Sequence, residues 1–151
     1  MRVIESLAEL PALVGQEVAT SDWLTVTQQQ VDLFAEATGD HQWIHVDVER
    51  AKAGPFGAPI AHGFLTLALL PKFFDTAIRF GHTRVSVNYG LNRVRFISPV
   101  PVGSRLRARM KLLECTPLEG NGMQQVWQIT VEREGSERPA CIAETIARRY
   151  A

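Results

Sequence analysis

Hydrophobic positions recur with a helical period in the first half of the chain and with a period of two in the second half. The change falls near residue 83. Thr27, followed three residues later by Gln30, forms a capping-box signature that opens a helix. Val31, Phe34, Ala35 and Thr38 then share one face, and Gly39 is a natural stop. A short helix is predicted over 48–53, ended by Gly54-Pro55, and a loop over 56–62. The most apolar segment, 63–80, predicts one long helix. Lys72, Asp75 and Arg79 give it a single wet stripe, while nothing is charged from Phe64 to Leu70. Such a helix must be wrapped by other structure.

The second half supplies the wrapping. Val85, Val87, Tyr89 and Leu91 alternate with Arg84, Ser86, Asn88 and Gly90. The parity then flips, because Val94 and Phe96 become the apolar positions, which predicts a bulge or bend between Gly90 and Arg93. Arg105, Arg107, Arg109 and Lys111 alternate with Leu106, Ala108, Met110 and Leu112 in a second strand. Trp127, Ile129 and Val131 mark a third strand, and 140–150 a fourth. Turns are read at 99–103, 119–122 and 134–138. The pattern predicts an α+β fold, a single domain over 1–151 in which an antiparallel sheet wraps a long central helix. That is a hot-dog arrangement.

Composition narrows the function. A length of 151 residues suits one domain, and no repeat or linker divides it. Formal net charge is zero, so neither nucleic acid nor an anionic membrane is an expected partner. The N-terminus lacks the apolar stretch of a secretory signal, and Pro71 with its charged neighbours argues against a membrane span. Cys115 and Cys141 have no metal-ligand spacing and are too few for a disulfide scaffold. They read as unreactive small hydrophobes in a cytoplasmic protein.

Candidate chemistry lies between residues 38 and 63. The run Thr38-Gly-Asp-His-Gln-Trp-Ile-His45 leaves a helix end with a carboxylate, Asp40, and an imidazole, His45, five residues apart. A loop can turn both into one cleft, whereas a strand would put them on opposite faces. Such a pair suits a reaction that removes one proton from water and delivers one to carbon. By spacing alone, the commoner reading is Asp40 as a turn cap and His45 as a surface or core histidine. His62-Gly63 opens the long helix, where the first N–H groups lack intrahelical partners. A free Gly63 N–H would stabilise a developing oxyanion, and the plain alternative is a simple helix start.

Phe34-x-x-x-Thr-Gly-Asp-x-x-x-x-His45 followed by Ala61-His-Gly-Phe64 resembles the MaoC-like dehydratases, which include the (R)-specific 2-enoyl-CoA hydratases. The run 88–96 and the turn 99–103 resemble the subgroup that includes nodulation protein N. The resemblance implies a hot-dog homodimer acting on a coenzyme A thioester with no metal and no other cofactor. It implies Asp40 and His45 as catalytic dyad and Gly63 as oxyanion donor, with Gln42, His62, Asn88, Gly90 and Arg93 as substrate-binding candidates. The family's commoner pattern is Asp-x-Asn-Pro-x-His; here Gln42 and Trp43 stand at the Asn and Pro positions, which puts dyad geometry and acyl preference in question. The implied activity is hydration of a 2-enoyl thioester to the (R)-3-hydroxyacyl form. The alternatives are a hot-dog thioesterase and a non-catalytic acyl-thioester-binding subunit. The cationic face of 105–111 reads as a solvated strand face or a phosphate contact.

Overall fold

The capping box is formed: Thr27 accepts from the Gln30 amide, and the Gln30 side chain returns to the Thr27 amide. In this computed structural model, which describes residues 1–151, the helix it opens is α1, Gln28–Thr38. Gly39 ends it in the left-handed region, φ 77°, where a Cβ would be strained. Before α1 come β1 (Arg2–Ile4), a 3-10 turn (Leu7–Leu13), β2 (Glu17–Thr20) and β3 (Leu24–Thr25). After it come two short helices, α2 (Trp43–Val46) and α3 (Val48–Lys52).

The long helix is not continuous. It consists of α4, Gly63–Ala68, and α5, Leu70–Ala77, with Leu69 as the joint. Pro71 lacks the N–H that would bond back into the preceding turn, so it sits at the start of a new helix. Residues Ile78–Phe80 leave the helix as β4 and pair in parallel with β1. The expectation of one helix over 63–80 is corrected accordingly, and Arg79 lies on a strand. Nor is the segment wrapped on all sides: Leu65, Leu70 and Phe73 are buried, but Phe64 is 68% exposed.

Four long antiparallel strands follow: β5 (Val85–Phe96), β6 (Arg105–Leu118), β7 (Gly122–Arg133) and β8 (Cys141–Tyr150). Sheet order is β2-β6-β7-β8-β5, with β3 also on β6. Leu106, Ala108, Met110, Leu112, Trp127, Ile129 and Val131 are fully buried, as their alternation predicts. Trp127 meets Phe74 of α5 edge-on at 5.4 Å, which seats the helix on the sheet. The parity flip in β5 is a pair of register shifts, at Asn88/Gly90 and Leu91/Arg93. On the opposite face Arg105 pairs with Glu134, Arg107 with Glu132, and Arg109 with both Glu132 and Glu17. These arginines are taken up by carboxylates across the strands, which favours the strand-face reading over a phosphate contact. Burial pushes the Cys115 and Cys141 thiols up to about 11, so neither is a nucleophile near neutral pH.

Candidate active site

Three backbone hydrogen bonds bring the two halves of the site together. Val102 N–H bonds to Pro59 O at 2.8 Å, Ala61 N–H to Val100 O at 2.8 Å, and Ile60 N–H to Ile44 O at 3.0 Å. The turn after β5 therefore holds residues 59–61 beside α2, which carries His45. His45 is buried at 6% exposure, on a single helical turn rather than in a loop. Its Nδ1 lies 2.6 Å from Ile60 O. A carbonyl only accepts, so Nδ1–H donates and Nε2 carries the lone pair. Desolvation by burial, the largest influence, lowers the His45 pKa from 6.5; the Ile60 hydrogen bond opposes it, His62 lowers it further and Asp40 raises it. The ring is thus a neutral base at pH 7.

Asp40 follows the left-handed Gly39 and stays exposed, its Oδ1 accepting from the Gln42 amide at 3.3 Å. Donor atoms of Asp40, His45 and His62 lie within 4.8 Å of one another, so the structure joins the carboxylate and imidazole that the spacing suggests. His62, only 2% exposed, donates from Nε2 to Asp40 O at 2.9 Å. Its ring stacks on His45 at 3.9 Å between centroids and leans on Phe34 at 4.8 Å. His62, expected as a substrate contact, thus has little exposed surface within one chain. It is enclosed behind the dyad, bracing the Asp40 backbone and the His45 ring.

Gly63 is the first residue of α4, and its N–H has no hydrogen-bond acceptor. A Cβ there would lie 2.9 Å from Cδ2 of Phe96, so the Phe96 ring closes over this glycine. Gln42 is exposed, its side chain unengaged at the start of α2. Asn88 and Gly90 are not brought to the dyad within one chain. Phe96 marks the Gly63 end of β5, and eight residues of strand place Asn88 roughly 25 Å from it. Arg93 lies closer, exposed on the edge strand. Sequence reasoning missed the Ile60 carbonyl, a backbone group with no sequence signal, and Phe96, whose apolar position is visible but whose partner is not.

The low His45 pKa has a consequence in pH. If the neutral imidazole is the base, kcat/KM falls on the acid side with a midpoint below 6.5. Because the folded-state pKa lies below the unfolded one, stability contributed by neutral His45 is full above pH 6.5 and lost as pH falls through that window. A pH–rate profile with its acid midpoint at or above 6.5 would contradict this environment.

An antiparallel sheet curved around a central helix, with a paired carboxylate and imidazole at the helix start, defines a hot-dog protein with the groups of a hydro-lyase. The chain belongs to the MaoC-like family: the profile described as "MaoC like domain" matches residues 9–133. It is 55% identical over 151 residues to 3-hydroxyacyl-thioester dehydratase Z of Mycobacterium tuberculosis, covering 100% of both chains. It is 48% identical over 144 residues to nodulation protein N of Rhizobium meliloti, covering 94% of this chain and 89% of that one. An unliganded (R)-hydratase of Pseudomonas aeruginosa matches with TM-score 0.71 and 25% identity, over 94% of this chain and 83% of the other. These relatives support a hydratase or dehydratase function. No helix is long and apolar enough to cross a membrane.

Proposed function

We propose that the protein adds water reversibly across the 2,3 double bond of a 2-enoyl-CoA thioester, giving the (R)-3-hydroxyacyl thioester. The observation that carries this reading is the Asp40–His45 pair, held within 4.8 Å with His45 Nδ1 tied to Ile60 O and Nε2 unengaged. Nε2 takes one proton from water while the Asp40 carboxylate accepts the other O–H and aims the oxygen at Cβ. As the C–O bond forms, charge moves onto the thioester oxygen, where the unbonded Gly63 N–H stabilises it. The proton taken up is delivered to Cα, so both parts of one water enter the product. No electron transfer is required, and coenzyme A enters only as part of the substrate. The test is crotonyl-CoA. Loss of enoyl-thioester absorbance without release of free thiol is the expected result, and chiral analysis of the product reads its hand. Thiol release instead would indicate hydrolysis and overturn the reading.

The same reading includes a homodimer. β5 is an edge strand, and Val85, Val87, Tyr89, Leu91 and Phe96 on it are each more than 40% exposed. A long apolar edge of this kind calls for a partner, and two-fold pairing is the commonest solution. Light scattering is expected to give twice the 16.8 kDa chain mass. Val87→Lys with Leu91→Lys is expected to shift it toward the monomer. A wild-type protein that stays monomeric at micromolar concentration would refute the dimer.

A further inference from the structure

Arg149, on β8, is a buried cation without a counter-ion. It is 7% exposed, and its guanidinium carbon stands 4.1 Å from the centre of the Phe80 ring and 5.5 Å from that of Phe74. Its hydrogen bond goes to Gln125 Oε1, which also accepts from Trp127 Nε1 at 3.1 Å. Beside it, Nε2 of the fully buried Gln125 has no partner. Arg79, Arg105, Arg107 and Arg109 each find a glutamate, but no carboxylate pairs with Arg149. Burial pushes its pKa down to about 10, with no opposing charge to offset the desolvation. The two rings and the Gln125 oxygen hold the side chain in place but bring no opposing charge. An apolar side chain would pack on Phe74 and Phe80 without the desolvation penalty of a charge.

Arg149 forms part of the wall of a cavity of about 1100 Å³ between α4–α5 and the strands β5 and β8. The wall is largely apolar, with Phe64, Leu67, Phe74 and Ile78 along it. Phe64 directly follows Gly63 at one end, and Phe80 and Arg149 lie toward the other. Gly63 and Phe74 lie eleven positions apart on the successive helices α4 and α5, a separation of at most ~16 Å at helical rise, the scale of an acyl chain of about a dozen carbons. Asp75 borders the cavity from an exposed position, and the exposed Arg79 and Arg84 outnumber it there.

We propose that this cavity receives the acyl chain of the thioester, and that Arg149 in its wall binds a carboxylate at the chain's distal end. The inference rests on the thioester reading above. It adds a substrate class, the ω-carboxyacyl thioesters. The planar guanidinium fork matches a carboxylate, and a charge-assisted pair is strong where water is excluded.

Binding of two saturated, non-reacting ligands tests it: dodecanedioyl-CoA against dodecanoyl-CoA, by titration calorimetry on the wild-type protein. The distal carboxylate is expected to tighten binding by about tenfold or more, the scale of a hydrogen bond to a charged group. Arg149→Met is expected to erase the preference, and Arg149→Lys to keep part of it. Melting curves separate lost binding from lost folding; if Arg149→Met does not fold, the wild-type comparison decides alone. Equal affinities in the wild type, or a preference that survives Arg149→Met, overturns the proposal. Crotonyl-CoA hydration by the same wild-type preparation is read separately. Its absence with the preference intact would sink the hydratase reading and leave the carboxylate subsite standing.

Discussion

Asp40→Asn and His45→Gln are each expected to abolish nearly all crotonyl-CoA hydration while the protein stays folded. Dedicated acid–base groups usually contribute about 10²–10⁴ each. In the proposed mechanism they share one water: Asp40 orients it and His45 Nε2 takes its proton. Losing either forfeits most of the joint effect, so the two losses should not multiply, and the double variant should be little worse than the worse single one. Asparagine keeps the size of Asp40 and an oxygen for the Gln42 amide, so its defect would be one of charge. His45→Gln vacates the contact with the Ile60 carbonyl, and a modest fall in melting temperature is expected as well. His41→Gln is the control, because His41 is exposed and its nearest charged group is Glu36 at 3.8 Å. Steady-state rates and melting curves on these four variants decide the matter. Wild-type hydration by Asp40→Asn, or equal damage from His41→Gln and His45→Gln, would overturn the assigned roles.

Gly63→Val is expected to lose on the order of 10²-fold or more in turnover, and the packing around Gly63 shows how to interpret the loss. A side chain there meets the Phe96 ring at 2.9 Å before it meets any substrate. Overpacking of this kind costs about 1–3 kcal/mol in a tight core. Phe96 is 46% exposed, so its ring has room to swing away and the cost falls at the low end. Two causes of lost activity therefore need separating: displacement of Phe96, and obstruction of the thioester at the Gly63 N–H. Phe96→Ala opens the space and serves as the reference background. If Gly63 matters for carbonyl approach, Gly63→Val in that background regains its melting temperature but not its turnover. Recovery of both would confine the glycine's role to packing beneath Phe96.

Much of this protein was legible in its sequence because the information is local. The capping box at Thr27 and Gln30, the stop at Gly39, the alternation in β6 and β7 and the parity flip in β5 each depend on neighbours within a few residues. Asp40 and His45 were legible for the same reason: five residues apart, they are positioned by one helix end and one further turn. The break at Leu69 was signalled by Pro71, yet the uniform apolarity of the segment hid it. Hydrophobicity reports that a segment is buried somewhere, not that it is one straight element. Other features needed contacts between residues far apart in the chain. Only the pinning of residues 59–61 by the turn after β5 sets the Ile60 carbonyl against His45 and so leaves Nε2 as the nitrogen with the free lone pair. The packing of His62 between the rings of Phe34 and His45 likewise has no local signature. Arg149 alternates like any strand residue beside Arg148. Its isolation from every carboxylate comes from the packing of α5 and β4 over the sheet, and spacing along a chain carries no record of which surfaces will meet.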